Sequence, residues 1–416
     1  MAVPEGRDRD GQAVRHFGTL TGELQALADW LIECKIDTVA MEATGVYWIA
    51  LFQILEARGI EVCLVNARHV KNVPGRKSDV QDCQWLQYLH SVGLLNGSFR
   101  PPAEVVAVRS LIRHRESLSR SANQYLLRLQ KSLDQMNVLL HHAVSDITGV
   151  TGQAILDAIL SGERDPAVLA RLRDRRCRKS EEQIAEALRG DWREEHLFTL
   201  GQSLEAWCYH QQLIADCNTE IDRQMGKIKA RSNEKAPPHT KKGNVPDEPL
   251  RQHLYEKFGV DLTAVEGVGT QTALTFLCEV GPDVSKFPSA AHFASWLTLC
   301  PDNRVSGGEK LNAHTRKGKI RLANALRMAA QSYMRSSSPL GDWYRRMRAK
   351  LGPKAATVAA AHKLARILYT LVKHREPYNP ERLGDGELVR LRREKSLRKQ
   401  AEKLGYTLVP TTPEPA

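Results

Sequence analysis

The stretch DTVAMEATGVYWIALFQILEARGIEVCLV, Asp37–Val65, decides the reading of the first third of the chain. Asp37–Met41 is a short apolar run with the look of a buried strand. Glu42 follows at its end, and the turn Ala43, Thr44, Gly45 leads into a helical pattern over Val46–Ala57. There Trp48, Leu51, Ile54 and Leu55 share one face. Glu61–Val65 is the next strand. A strand, a helix and a second strand at this spacing predict parallel pairing in an α/β domain.

The pattern extends outward from that unit. Residues 13–20 alternate weakly, as a strand would. Thr21 is a plausible N-cap for a helix with Leu24, Leu27, Ala28 and Leu31 inward. Asn66–Lys77 is a basic, turn-rich loop, and Ser78 caps a helix running to about His90. Pro101 and Pro102 mark the end of a domain spanning 1–100. From Val108 an apolar stripe runs through Leu111, Leu118, Ala122, Tyr125, Leu129, Met136 and Leu140, broken at Arg115 and Ser132. A second runs through Leu204, Trp207, Gln211, Ile214, Asn218, Ile221, Met225 and Ile228. Over 101–231 these spacings predict long helices in a coiled coil or antiparallel pair, its register fixed by Gln211 and Asn218. Pairing within one chain and pairing between chains both satisfy the pattern. Residues 232–252 are the expected linker, 253–380 a mainly helical domain with helices at 320–334 and 355–374, and 381–416 a charged tail.

Charge is distributed unevenly. Residues 1–100 carry a net −2, residues 101–235 a net +1, and residues 236–416 a net +13. A basic region beside a mildly acidic one points to nucleic-acid contact through the former; a basic solvated surface is the plainer reading. No run of about 18 apolar residues exists, which argues against a membrane span. The opening MAVPEGRDRDG lacks the apolar core of a signal peptide. The eight cysteines form no CxxC, so neither a zinc ribbon nor a disulfide framework is indicated. A cytoplasmic protein is expected.

Two groups of residues could carry chemistry. In GRKSDVQDCQWL, Gly75–Leu86, Asp79 and Asp82 lie one helical turn apart and project from one face. Glu42, at the carboxyl end of its strand, stands where functional groups gather in parallel sheets. Three carboxylates there suit a hard divalent ion such as magnesium. Aspartates in a first helical turn also complement the helix dipole with no metal at all. The second group is RVSGG, Arg304–Gly308, where Ser306 precedes two glycines. Arg304, Lys310, Arg316, Lys317, Lys319 and Arg321 surround it in sequence and would hold a phosphate. A plain turn is the simpler reading. In VEGVGT, Val265–Thr270, Gly267 and Gly269 suit a helix-hairpin-helix turn whose amides face a phosphate, or a tight turn with no ligand.

MEATGVYW, Met41–Trp48, followed by VNARHVKNVPGRKSDVQDCQWL, Val65–Leu86, resembles the ribonuclease H-like (RuvC-like) domain of the IS110 family of transposases. The resemblance covers nearly the whole chain, including a C-terminal domain of the IS116/IS110/IS902 type. These are DEDD enzymes guided by a bridge RNA. The resemblance implies an α/β N-terminal domain, then a helical coiled coil, then a mainly α domain. It implies that Glu42, Asp79 and Asp82 hold magnesium and that Ser306 is a nucleophile attacking DNA. It further implies donor and target DNA, a guide RNA and a homo-oligomer, dimer or tetramer, as partners. The first Asp of the family pattern lies on an opening strand, and this sequence starts beyond it. Asp8 and Asp10, in the turn RDRDG, are poor substitutes. Two other activities stay in play: a four-way-junction nuclease without strand joining, and an inactive remnant that only binds nucleic acid or partner subunits.

Overall fold

The computed structural model describes residues 1–66, 78–238, 247–312, 315, 316, 318 and 320–380, with 394, 395, 397, 398, 400–402 and 404–407 in the tail; at 304, 305 and 310–312 it describes the backbone alone. It is mostly helical, with one small parallel sheet and one hairpin. Two units are distinguished, Met1–Arg100 and Pro101–Ala416.

In the first unit, helix α1 (Thr21–Glu33) precedes strand β1 (Thr38–Glu42), helix α2 (Trp48–Ala57), strand β2 (Glu61–Val65) and helix α3 (Asp79–Ser91). β1 and β2 pair in parallel, from Thr38 opposite Glu61 to Glu42 opposite Val65. The apolar faces of both strands and both early helices meet in one core: Leu27, Ala28, Leu31, Val39, Met41, Phe52, Leu55 and Leu64. Of the four residues expected to face inward on α2, Leu55 is buried and Trp48, Leu51 and Ile54 are partly buried, while Phe52, not singled out in the sequence, is buried. Thr21 is the first helical residue rather than the cap, and the N-cap is Leu20.

Residues 13–20 form no strand. Instead residues 1–15 fold back on themselves through a single bridge, Ala2 to Val14. The turn RDRDG is organised by Asp8, which is 8% exposed. Its carboxylate accepts from the Gln12 amide at 3.0 Å, from Arg15 Nη2 at 2.9 Å and from Trp30 Nε1 at 3.4 Å. Burial pushes its pKa up, but the hydrogen bonds from Trp30 and Arg15 outweigh that and hold it below the usual carboxylate range. A carboxyl depressed on folding stabilises fully above its unfolded pKa of about 3.9, and that contribution is lost as pH falls through the folded value. Asp8→Asn should therefore lower the melting temperature at neutral pH and flatten its decline below about pH 4. Parallel melting curves for the two proteins across that range would refute the role.

In the second unit, helices α4 (Ala103–Gln135) and α5 (Glu194–Lys227) form a long antiparallel pair. Ser132 Oγ lies 3.1 Å from Thr199 Oγ1, while Arg115 Nη1 donates to Asn218 Oδ1 at 3.1 Å. The pair thus closes within one chain. Asn218 does meet a polar partner across the seam; Gln211 is exposed. Ser132, which broke the expected stripe, is buried, its hydroxyl satisfied by the Arg128 carbonyl at 3.1 Å. Four short helices between 140 and 187 cap one end of the pair around Leu133, Met136, Ile155, Leu156, Leu169 and Ile184.

The expected linker ends early. Helix α6 (Glu248–Phe258) starts inside it, with Asp247 accepting from the Leu250 amide at 3.2 Å. Helices α7 (Thr270–Val280) and α8 (Ala290–Trp296), the hairpin β3 (Arg304–Ser306) and β4 (Glu309–Asn312), then helices α9 (Arg321–Gln331), α10 (Pro339–Leu351) and α11 (Pro353–His374) complete the chain. An aromatic core joins them. Phe293 is fully buried, with ring centroids 5.7 Å from Phe276, 5.1 Å from Phe287 and 5.7 Å from Tyr369. The Tyr369 hydroxyl donates to the Phe287 carbonyl at 2.7 Å. Among the described residues no helix is long and apolar enough to cross a membrane.

Candidate functional site

The carboxylates are positioned by local rules. Ser78 adopts extended backbone and its hydroxyl accepts from the Gln81 amide at 3.3 Å, so α3 begins at Asp79, as the sequence predicts. The last turn of α3 meets the start of β1, where His90 Nε2 lies 2.9 Å from Thr38 Oγ1. α3 packs against β1, and Cys83, Leu86, Gln87 and His90 of α3 line one cleft with Thr38, Val39 and Ala40 of β1. Both aspartates are exposed, and Glu42 is half-buried. The Glu42 carboxylate accepts from the Thr44 hydroxyl at 2.5 Å, and the Thr44 amide donates to the Glu42 carbonyl at 3.0 Å. Sequence reading assigned Thr44 only to a turn. A hydroxyl two residues beyond a strand-end carboxylate was the available signal for its role.

These oxygen donors match magnesium in kind. They do not match in number and approach. Among the described residues no three His, Cys, Asp or Glu side chains gather closely enough to hold a metal ion, and this holds for Glu42, Asp79 and Asp82 as a trio. The exposed first turn of a helix and a carboxylate engaged by its own turn do not of themselves make a closed centre.

The second group resolves into a hairpin. Ser306 pairs with Glu309 across Gly307 and Gly308, whose φ values are +58° and +83°. A two-residue hairpin turn with both φ positive matches strand twist, and glycine adopts it without steric cost. The paired glycines are thus explained by the turn. Ser306 is left exposed at its mouth. Of the basic residues around it, Lys317 and Lys319 lie outside the described residues, and for Arg304 and Lys310 the backbone alone is described. Arg316 donates to the Ser295 carbonyl and hydroxyl, both at 2.9 Å. Arg321 pairs with Glu116 of α4 at 2.5 Å. Both guanidiniums therefore carry a tie within the unit, and a phosphate would have to compete with it.

Gly267 has φ +76°, and a Cβ there would come within 2.8 Å of the Ala329 carbonyl and of Ser332 Oγ. It is a close-approach glycine, packing the loop onto the end of α9. The adjacent Glu266 carbonyl accepts from the buried Tyr333 hydroxyl at 2.8 Å. Gly269 is the N-cap of α7 and faces open space.

Known proteins share these segments. Residues 6–138 match a transposase family, the DEDD transposases of IS110 type, and residues 261–345 match the transposase IS116/IS110/IS902 family. A protein of Sinorhizobium fredii named as a transposase is 30% identical over 135 residues, 31% of this chain and 35% of that protein. A 43.6 kDa protein of insertion element IS110 from Streptomyces coelicolor is 37% identical over 90 residues, 21% of this chain and 22% of its own. A protein of Pseudomonas aeruginosa named as a family 20 transposase is 30% identical over 124 residues, 29% of this chain and 36% of its own. The chain thus spans about a third or less of the length of these relatives. The first match contains the whole β1–α2–β2–α3 segment with Glu42, Asp79 and Asp82, and the second contains Gly267, Gly269 and Ser306. Two segments of the chain, residues 6–138 and 261–345, are thus similar to transposase domains of the IS110 and IS116/IS110/IS902 types.

Proposed function

We propose that the chain is the transposase of an insertion element, cutting DNA and rejoining it at a new site. The observation that supports this reading is that Glu42, at the end of β1, and Asp79 and Asp82, in the first turn of a helix that packs on β1, all fall inside the segment matched to the transposase family. On this reading the first unit is a ribonuclease H-like domain in which Glu42, Asp79 and Asp82 would hold magnesium. The ion would supply charge stabilisation at a phosphodiester. The bound state would need the three carboxylates drawn closer than they stand.

Ser306 is the nucleophile in this reading. Its Oγ forms a bond to phosphorus as the bond from phosphorus to the leaving sugar oxygen breaks. The hydroxyl proton passes to solvent, and the leaving oxygen takes one up. A sugar hydroxyl of the recipient strand then reverses the step, releasing Ser306 and joining the DNA. One phosphodiester is exchanged for another, so no external energy source is required. The net +13 of residues 236–416 supports DNA contact by the second unit, as does exposure of Ser306. Donor and target DNA, a guide RNA and further copies of the chain, as dimer or tetramer, complete the proposed cytoplasmic machinery.

A binding-only reading is favoured by one observation, the lack of a gathered trio of metal ligands among the described residues. A plasmid exchange assay in cells, with donor ends, target and flanking RNA supplied, separates the two. Joined product from the natural chain, lost in Asp82→Asn, is the expected result. Salt-sensitive DNA binding with neither nicked nor joined product from the natural chain would establish the binding-only role.

A further inference from the structure

The turn between β1 and α2 presents an aromatic ring to solvent. Tyr47 is 82% exposed and its neighbour Val46 is 70% exposed. Leaving this much apolar surface in water is unfavourable, by roughly 25 cal/mol per Å². The ring is nevertheless held. Gly45 has φ +55°, and a Cβ there would sit 3.4 Å from Tyr47 Cδ2 and Cε2, so the ring lies against the Gly45 main chain. Tyr47 is also the N-cap of α2. The same turn is anchored by the Ala43 amide, which donates to the Val65 carbonyl at 2.9 Å, and by the Thr44 contacts to Glu42. A hydrogen-bonded turn thus carries Glu42 at one end and an open aromatic face at the other.

The electrostatics of this unit make such a face useful. Residues 1–100 carry a net −2, and its candidate site is built of carboxylates. A phosphate backbone is repelled there, so a strand must be retained by contacts that do not depend on charge. Stacking is such a contact, and every nucleobase has a π face. We propose that Tyr47 is a positioning residue, a stacking platform for an unpaired nucleobase of the DNA strand brought to Glu42, Asp79 and Asp82. This rests on the function proposed above. A base must leave its own stack to reach the ring, so the ligand is single-stranded or locally opened DNA rather than an intact duplex.

The test uses the full chain and a single-stranded DNA oligonucleotide carrying 2-aminopurine, titrated without magnesium so that no cutting intervenes. The natural chain and Tyr47→Phe should bind and quench the fluorescence alike. Tyr47→Ala should lose the quench and bind roughly tenfold more weakly, with an unchanged dependence on salt because no phosphate contact is removed. Tyr209→Ala, which removes a 63% exposed tyrosine from α5, should change nothing. Binding and quenching by Tyr47→Ala equal to the natural chain would overturn the proposal and leave the transposase reading standing. Failure of the natural chain to bind the oligonucleotide at all would likewise overturn the proposal, the transposase reading being decided separately by the plasmid exchange assay. A quench seen only with the same sequence as RNA would overturn the assignment to DNA.

Discussion

Ser306→Ala is expected to abolish strand joining, by about 10³-fold or more, and to remove any protein–DNA adduct that survives denaturing electrophoresis. The fold should be indifferent to the change. Ser306 is exposed, and the hairpin turn is formed by the positive φ values of Gly307 and Gly308 rather than by the serine side chain. A loss of activity in this variant therefore cannot be charged to unfolding, provided its melting temperature matches that of the natural chain. Retained cutting with no adduct would favour the junction-nuclease activity, in which water rather than serine attacks. Retained joining would remove Ser306 from the mechanism.

The largest effect on stability is expected at Phe293. It is fully buried and touches the rings of Phe276, Phe287, Trp296 and Tyr369, drawn from α7, α8, α11 and the loop before α8. Phe293→Ala would leave a cavity among rings that cannot collapse without breaking the Tyr369 hydrogen bond to Phe287. The expected cost is about 3–5 kcal/mol, a large part of a stability that for whole domains is only about 5–15 kcal/mol. Phe293→Leu keeps most of the volume and should cost less than half as much. Urea unfolding followed by tryptophan fluorescence measures both, because Trp296 lies 6.0 Å from the Phe293 ring. A loss below about 1 kcal/mol for the alanine variant would show that the second unit does not depend on this cluster.

The two proposals differ in how legible they were. Ser306 stood out in the sequence beside two glycines and a run of cations, and those glycines turn out to answer a backbone demand of their own. Tyr47 was hidden in the sequence, since an aromatic next to a helix start reads as core. Only burial separates it from Trp48, one residue away and partly packed. Arg321 shows the opposite error. In the sequence it is one cation among many; in the fold it is bound to Glu116, 205 positions earlier.

The sequence by itself determined what depends on neighbours along the chain. Ser78 starts α3 because its hydroxyl reaches an amide three residues on. Glu61–Val65 is a strand because its run of apolar residues is short and bounded, and Arg115 and Asn218 stand as polar breaks in two apolar stripes whatever those stripes pack against. Tertiary structure alone decided which broken stripe faces which, that Ser132 is buried with its hydroxyl satisfied, that Gly267 must lack a side chain beneath α9, and that Glu42, Asp79 and Asp82 do not close a metal site. The reason is range. A cap or a stripe is fixed by bonds and periodicity within a few residues, whereas close approach, burial and the meeting of charges depend on where distant segments come to rest.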